Sequence, residues 1–200
     1  METRTVGGKQ FLILTWADVE KLVENVEEAL RRDGYRPDTL VGVLRGGMIV
    51  ADLLSDLLEV REVYVVGCKS YAGLSPGEVR LYHDLQLREL SGRYVLLVDD
   101  VADTGSTLET AVEKILKPRK PHTIRTATLL RKPWSKAKPD YTAATTDAWI
   151  IFPWERMETV KTVGKLWAQD LGLEKAASEL AEISRLDREK VSKTLRNLTA

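Results

Sequence analysis

One cysteine, Cys68, stands in the whole chain, so no intrachain disulfide and no cysteine-rich metal site can be assembled. Charge of one sign is also missing. Lys plus Arg number 30 and Asp plus Glu number 30, which removes any global electrostatic case for nucleic-acid or membrane binding. Long apolar runs are absent: no stretch nears the roughly 20 residues that span a bilayer, and the N-terminus shows no apolar signal core. The chain therefore reads as soluble and cytoplasmic. Asn and Gln are scarce beside a 30% charged fraction, a balance that leans toward proteins working at high temperature. What remains, 200 residues, is enough for one α/β domain with a real core and an appendage.

Short apolar runs alternate with helical patterns. Phe11 to Leu14 reads as a strand, and Thr15 offers an N-cap with Asp18 in the first turn to complement the helix dipole. Val19, Leu22, Val23, Val26 and Leu30 recur at helical spacing up to Asp33-Gly34, where the helix should stop. Leu40 to Leu44 is a buried strand broken by Arg45-Gly46-Gly47. A helix follows through Leu58, and Val63 to Cys68 returns beside the first strand. Residues 69–92 form a looser, hydrophilic excursion with a weak strand at Val79, Leu81 and His83, readable as a lid or as a surface hairpin. Thr123 to Leu130, Tyr141 to Thr145 and Trp149 to Phe152 are further strands. Strands alternating with helices predict a mostly parallel, twisted sheet flanked by helices, with ligands at the carboxyl ends of the strands.

Two of those ends carry chemistry. After Val95 to Val98, a run suited to a strand buried on both faces, Asp99 and Asp100 are expected to end the strand abruptly. Ala102-Asp103-Thr104-Gly105-Ser106-Thr107 then makes a small, hydroxyl-rich loop, and Leu108, Ala111, Val112, Ile115 and Leu116 continue at helical spacing. Backbone N–H groups, a helix dipole and hydroxyl donors converge in such a loop on a phosphate. The adjacent acids suit sugar hydroxyls or a hydrated Mg²⁺. At the other end, Gly46 and Gly47 let backbone approach an anion while the Arg45 guanidinium supplies paired donors.

The stretch Val-Asp-Asp-Val-Ala-Asp-Thr-Gly-Ser-Thr, residues 98–107, resembles the phosphoribosyl-pyrophosphate (PRPP) motif of type I phosphoribosyltransferases. The likeness runs from about Phe11 to Glu155, through Thr15-Trp16, Leu44 to Met48, Lys132-Pro133, Asp147 to Ile150 and Pro153-Trp154. It is nearest to a compact bacterial and archaeal branch that uses xanthine, hypoxanthine or guanine. The resemblance implies the type I fold and transfer of ribose 5-phosphate from PRPP to a purine, with Mg²⁺ as cofactor and a homodimer as the habitual assembly. It implies that residues 102–107 take the 5-phosphate, that Asp99 and Asp100 take the ribose hydroxyls and the Mg²⁺ shell, and that Arg45, Gly46 and Gly47 take the pyrophosphate. A non-proline cis peptide is implied at Leu44–Arg45. Asp103 is implied to exchange a proton with the purine, Lys132 to donate to a 6-oxo group, and Trp149 with Ile150 to meet the base. Ser70-Tyr71 resembles the start of the family's mobile loop. An ammonium has only donors, so Lys132 favours a 6-oxopurine over adenine, although an adenine-specific enzyme remains an alternative. A PRPP- or nucleotide-sensing transcriptional regulator is the other.

The resemblance assigns residues 1–155 to a catalytic domain and leaves 156–200 as a helical extension. Met157 to Ala168, Glu174 to Ile183 and Asp187 to Leu198 read as three helices, and Leu180 to Leu195 resembles a helix-turn-helix. Ala181 suits the helix crossing, Leu186 the turn and Val191 the core of the second helix, while Arg185 stands where glycine is usual. From Leu173 onward, basic residues Lys175, Arg185, Arg188, Lys190, Lys193 and Arg196 nearly balance acidic Glu174, Glu179, Glu182, Asp187 and Glu189. That balance favours a hairpin that packs on the catalytic domain, over the base pocket or at a dimer contact, rather than one that binds DNA.

Overall fold

The apolar run at Val95–Val98 does form a buried strand, but the acids do not end it. Tyr94–Ala102 is one strand of 9 residues, because its backbone keeps pairing with the next strand through Asp99↔Thr128, Val101↔Leu130 and Ala102↔Arg131. The computed structural model describes residues 1–69 and 79–199. In chain order the elements are β1 (Glu2–Val6), β2 (Lys9–Ile13), α1 (Trp16–Asp33), β3 (Thr39–Val43), α2 (Gly46–Leu58), β4 (Glu62–Lys69), β5 (Arg80–His83) and β6 (Tyr94–Ala102). There follow α3 (Ser106–Ala111), β7 (Thr123–Arg131), β8 (Tyr141–Thr145), β9 (Trp149–Ile151), α4 (Arg156–Leu171), α5 (Leu173–Ser184) and α6 (Arg188–Thr199). Contacts divide them into two compact units, residues 20–147 and residues 1–19 with 148–200.

The unit of residues 20–147 is built on a six-stranded sheet in the order β5-β4-β3-β6-β7-β8. Every pairing is parallel except β4 with β5. β3 and β6 lie side by side at the centre, where Leu40, Val41, Val95, Leu96, Leu97 and Val98 are wholly buried. Side chains alternate across a strand. Val41, Val43, Val95 and Leu97 therefore share one face, which packs against Leu108, Ala111, Ile115 and Leu116. Gly42 lies on the other, where a Cβ would come within 2.8 Å of Gly47 O and Met48 Cα at the start of α2. This is the parallel-rich α/β layer that the alternation of patterns predicts. The single helix expected after the loop is instead six α-helical residues followed by a π-helical stretch, Val112–Leu116, and a 3₁₀ turn, Lys117–Arg119. The wider π turn brings the adjacent Ile115 and Leu116 both into the core.

The unit formed by the two chain ends has its own three-stranded sheet, β1-β2-β9. Trp149 to Ile151 thus leaves the main sheet: β9 runs parallel to β2, with Phe11↔Trp149 and Ile13↔Ile151 in register. Phe11, Ile13 and Ile151 share a core with Val160, Val163, Trp167, Leu180, Ile183, Val191 and Leu195 of α4, α5 and α6. Trp167 meets Phe11 edge-on, ring centroids 5.5 Å apart at 87°, a geometry favoured by the ring quadrupoles. α4 can approach α6 because residue 164 is glycine: a Cβ there would lie 2.5 Å from Leu195 Cδ2. The Thr15 cap forms as expected, with the Asp18 N–H donating to Thr15 Oγ1 (3.1 Å) and the Thr15 N–H to Asp18 Oδ2 (2.9 Å).

Candidate active site

The central strand β6 delivers its acids at its carboxyl end. Asp99 and Asp100 are buried, with 9% and 7% of their surface exposed. Each carboxylate accepts the next residue's amide: Asp100 N–H to Asp99 Oδ1 at 3.0 Å, Val101 N–H to Asp100 Oδ1 at 2.8 Å. Hydrogen bonds of this kind hold the side chains in place.

Beside them, β3 ends where the Leu44 N–H donates to Val66 O (2.8 Å), and the Leu44–Arg45 peptide is cis. Arg45 then opens α2 through two glycines that admit no substituent. A Cβ on Gly46 would lie 1.6 Å from Asp100 Oδ2, and one on Gly47 would lie 2.4 Å from Val98 O. The Arg45–Gly47 turn and the Asp99–Asp100 pair are therefore one packed object, drawn from segments more than 50 residues apart in the chain.

The loop after β6 closes the arrangement. Ala102 is buried, Asp103 and Thr104 are exposed, and Gly105 takes a left-handed φ of 88° with room for no Cβ, since Ala137 would lie 2.4 Å from it. Thr104 Oγ1 lies 3.2 Å from Ser106 Oγ and accepts the Ser106 N–H at 3.3 Å. A cavity of about 320 Å³ is lined by Asp99, Val101 to Gly105, Thr107, Leu108 and Cys68. Cys68 is a lining residue that the sequence offers no signal for. Burial pushes its thiol up to about 11, with the Asp99 carboxylate adding to the shift, so it stays protonated at neutral pH and is no nucleophile.

The segment after β7 cups this loop. The Lys132 N–H donates to Ala102 O (2.9 Å) and the Lys136 N–H to Thr104 O (3.1 Å). Lys132 is buried, 8% exposed, and its ammonium lies 5.4 Å from the Trp134 ring centroid. Burial lowers its pKa, and the carboxylates of Asp103 and Asp147 pull the other way. The Trp134 indole Nε1–H donates to Asp103 Oδ1 at 3.0 Å. Trp134 is the site group that pattern reading leaves as the start of a loop; its only signal is its place two residues after Lys132.

The sequence-expected residues 45–47, 99–107 and 132 thus all belong to the unit of residues 20–147. Trp149 and Ile150 belong to the other unit, on β9, the first 40% exposed and the second buried. Near them Trp154 stacks on Phe152, centroids 4.7 Å apart at 10°. Ser70 and Tyr71, expected to begin a mobile loop, lie outside the described residues. Chemically, the site offers paired oxygen donors, a loop of amides and hydroxyls, a guanidinium and one exposed carboxylate held by an indole.

A family model described as "Phosphoribosyl transferase domain" matches residues 12–157. The chain is 33% identical over 135 residues to the xanthine-guanine phosphoribosyltransferase of Cereibacter sphaeroides, covering 64% of this chain and 77% of that protein. To the hypoxanthine-guanine phosphoribosyltransferase of Staphylococcus epidermidis it is 31% identical over 136 residues, covering 66% and 74%. Among solved structures, a purine phosphoribosyltransferase from Pyrococcus horikoshii superposes with a TM-score of 0.64 at 36% identity, covering 72% of this chain and 93% of that one. The Helicobacter pylori xanthine-guanine-hypoxanthine phosphoribosyltransferase does so at 0.63 and 26%, covering 76% and 99%. The motif at residues 98–107, the sheet that presents it and these matches agree: the chain belongs to the phosphoribosyl transferase family, with the type I fold.

Proposed function

We propose that the protein is a purine phosphoribosyltransferase, which joins a purine nitrogen to C1 of PRPP and releases pyrophosphate, as in purine salvage. The observation that carries this reading is the fusion of two anion-directed segments. Gly46 sits against Asp100 with no space for a side chain, and the loop 102–107 follows on the same strand. In this reading residues 1–155 carry the chemistry, with 156–200 as an extension.

As the C1–oxygen bond breaks, the pyrophosphate takes the electron pair and the ribose gains positive charge. The base nitrogen then forms the new bond. Little covalent chemistry is asked of the protein, so positioning and electrostatics dominate. The amides and hydroxyls of residues 102–107 bind the 5-phosphate, Asp99 and Asp100 orient the ribose hydroxyls, and Arg45 with Gly46 and Gly47 holds the departing pyrophosphate. Asp103, the exposed carboxylate, takes the proton that the purine gives up as the new C1–N bond forms. Lys132 donates to a 6-oxo group, which accords with the bases named for the relatives above.

A divalent ion fits the donor set. Among the described residues no group of three or more His, Cys, Asp or Glu is placed to cage a metal. One or two carboxylates beside phosphates is how hydrated Mg²⁺ is held, and Asp99 and Asp100 are those carboxylates. Bound there, Mg²⁺ would neutralise charge on the leaving pyrophosphate.

The test is to incubate the protein with PRPP, Mg²⁺ and, separately, hypoxanthine, guanine, xanthine and adenine, and to measure nucleotide and pyrophosphate. Equal amounts of both with a 6-oxopurine, abolished by chelation, are expected. Turnover with adenine alone would overturn the base assignment. No product with any base would overturn the enzyme reading in favour of a ligand sensor.

A further inference from the structure

The family match ends at residue 157, so α4 beyond its first two residues, α5 and α6 lie outside it. These three helices share one core, in which Val163, Trp167, Ala176, Ala177, Leu180, Ile183, Val191 and Leu195 are buried. α5 and α6 are joined by residues 185–187 alone, and Arg185 takes the left-handed conformation (φ 54°, ψ 34°) that a glycine would supply at such a turn. Its guanidinium pairs with Glu2 at 2.7 Å. The backbone makes the turn without a glycine. Asp187 caps α6, its Oδ1 accepting the Lys190 N–H at 3.0 Å.

α6 has two faces of opposite character. Val191, Ser192 and Leu195 are buried, while Glu189, Lys190, Lys193, Arg196 and Asn197 are exposed, at the spacing of a single helical stripe. The near balance of charge in this tail is sorted in space. Glu182 pairs with Arg4 at 2.5 Å and Glu174 with Arg188 at 3.3 Å. The exposed stripe of α6 is left with three cations and one acid.

We propose that α5 and α6 form a helix-turn-helix that binds double-stranded DNA, with the cationic face of α6 in the major groove. A helix of 12 residues is about 18 Å long, and a major groove about 12 Å wide admits it. Helix-turn-helix units present their second helix in this manner. A lipid surface fits the face less well, because anchoring would need large apolar side chains beside the cations and the stripe exposes none. Three cations give weak, salt-dependent binding, with a slope of about 0.9 per phosphate neutralised in log affinity against log salt. This inference is independent of the transferase reading: the α6 substitutions below leave the residues of the proposed active site untouched.

The experiment is fluorescence anisotropy of the full chain with a labelled duplex of about 30 base pairs, at about 50 mM salt and upward, within the range where phosphate contacts dominate. Three proteins are compared: the unaltered chain, Lys190→Ala/Lys193→Ala/Arg196→Ala, and Lys117→Ala/Lys120→Ala in the basic turn Lys117-Pro-Arg-Lys-Pro121 of the unit of residues 20–147. A dissociation constant between roughly 10⁻⁶ and 10⁻⁴ M is expected for the unaltered chain. The triple variant should bind at least about tenfold more weakly, with its salt slope smaller by about 2–3, while the basic-turn variant binds as before. If the triple variant melts early, Lys193→Glu alone should still weaken binding. Four results would overturn the proposal: no binding at low salt, an unchanged triple variant, an equal loss in the basic-turn variant, or single-stranded RNA or polyglutamate bound as tightly as the duplex.

Discussion

The end of β6 and the core of the terminal unit are built on opposite plans. At β6 the groups that matter are consecutive: Asp99, Asp100 and residues 102–107 leave one strand in a single run, and among the described residues Arg45 to Gly47, Cys68 and Lys132 to Trp134 arrive from elsewhere. In the terminal unit the core is drawn from distant segments. Phe11 and Ile13 from one end of the chain meet Ile151, Trp167, Leu180 and Val191 from the other. The first plan concentrates chemistry at the carboxyl end of one central strand. The second spreads stability over many apolar contacts, each modest. A substitution at the first should abolish reaction without unfolding; one at the second should unfold without touching reacting groups.

The sharpest way to break that contrast is Asp103→Asn. The carboxylate is exposed, so the fold should tolerate the change, while turnover should fall roughly 10²- to 10⁴-fold if it is the general acid–base group. PRPP affinity should barely move; steady-state kcat measured beside PRPP binding checks both. The reciprocal case is Trp167→Ala, which empties a ring-sized volume against Phe11. About 3–5 kcal/mol of stability should be lost, read by denaturant unfolding of the full chain. A stable Trp167→Ala protein would mean that the shared core is not what holds this unit together.

Smaller effects sharpen the picture of the site. Trp134→Phe keeps the ring beneath Lys132 but removes the donor to Asp103. A hydrogen bond to a charged group contributes about 1.5–3 kcal/mol, less where solvent competes. A fall of roughly tenfold in kcat with KM for PRPP unchanged is expected. A purely structural Trp134 would leave kcat unchanged. Lys132 supplies the gentlest test. Burial lowers its pKa, so its proton leaves below the ordinary value of about 10.4. Between the lowered and the ordinary pKa the unfolded chain binds more protons, so the cost of burying the ammonium fades and stability rises with pH. The donor to a 6-oxo group vanishes over the same window. The kcat/KM for hypoxanthine should therefore decline there, and Lys132→Gln should be slow at every pH and lack that limb.

How much could be read beforehand follows from the same two plans. Strand and helix positions and the run of small, hydroxyl-bearing residues at 102–107 are local features, set by neighbours in the chain, whereas the cis bond at Leu44–Arg45 is implied by the family resemblance alone. The continuation of β6 past Asp99 was not legible, because β7 decides it through pairing with Thr128 and Leu130. The same holds for β9, whose partner β2 lies more than 100 residues earlier. The bond from Trp134 to Asp103 depends on how two loops pack, which no spacing encodes. Gly164 reads as a weak point within a helix, yet it is what lets α4 meet Leu195.

The most direct test of the account is PRPP binding by Gly46→Ala in the presence of Mg²⁺. A methyl group there would fall 1.6 Å from Asp100 Oδ2, so the turn or the acid must move. The account predicts a chain that still folds, with a lowered melting temperature, and PRPP affinity reduced by roughly 100-fold, on the order of one or two charge-assisted contacts. A folded Gly46→Ala protein that binds PRPP as tightly as the unaltered chain would contradict it, since the two loops would then not form one site.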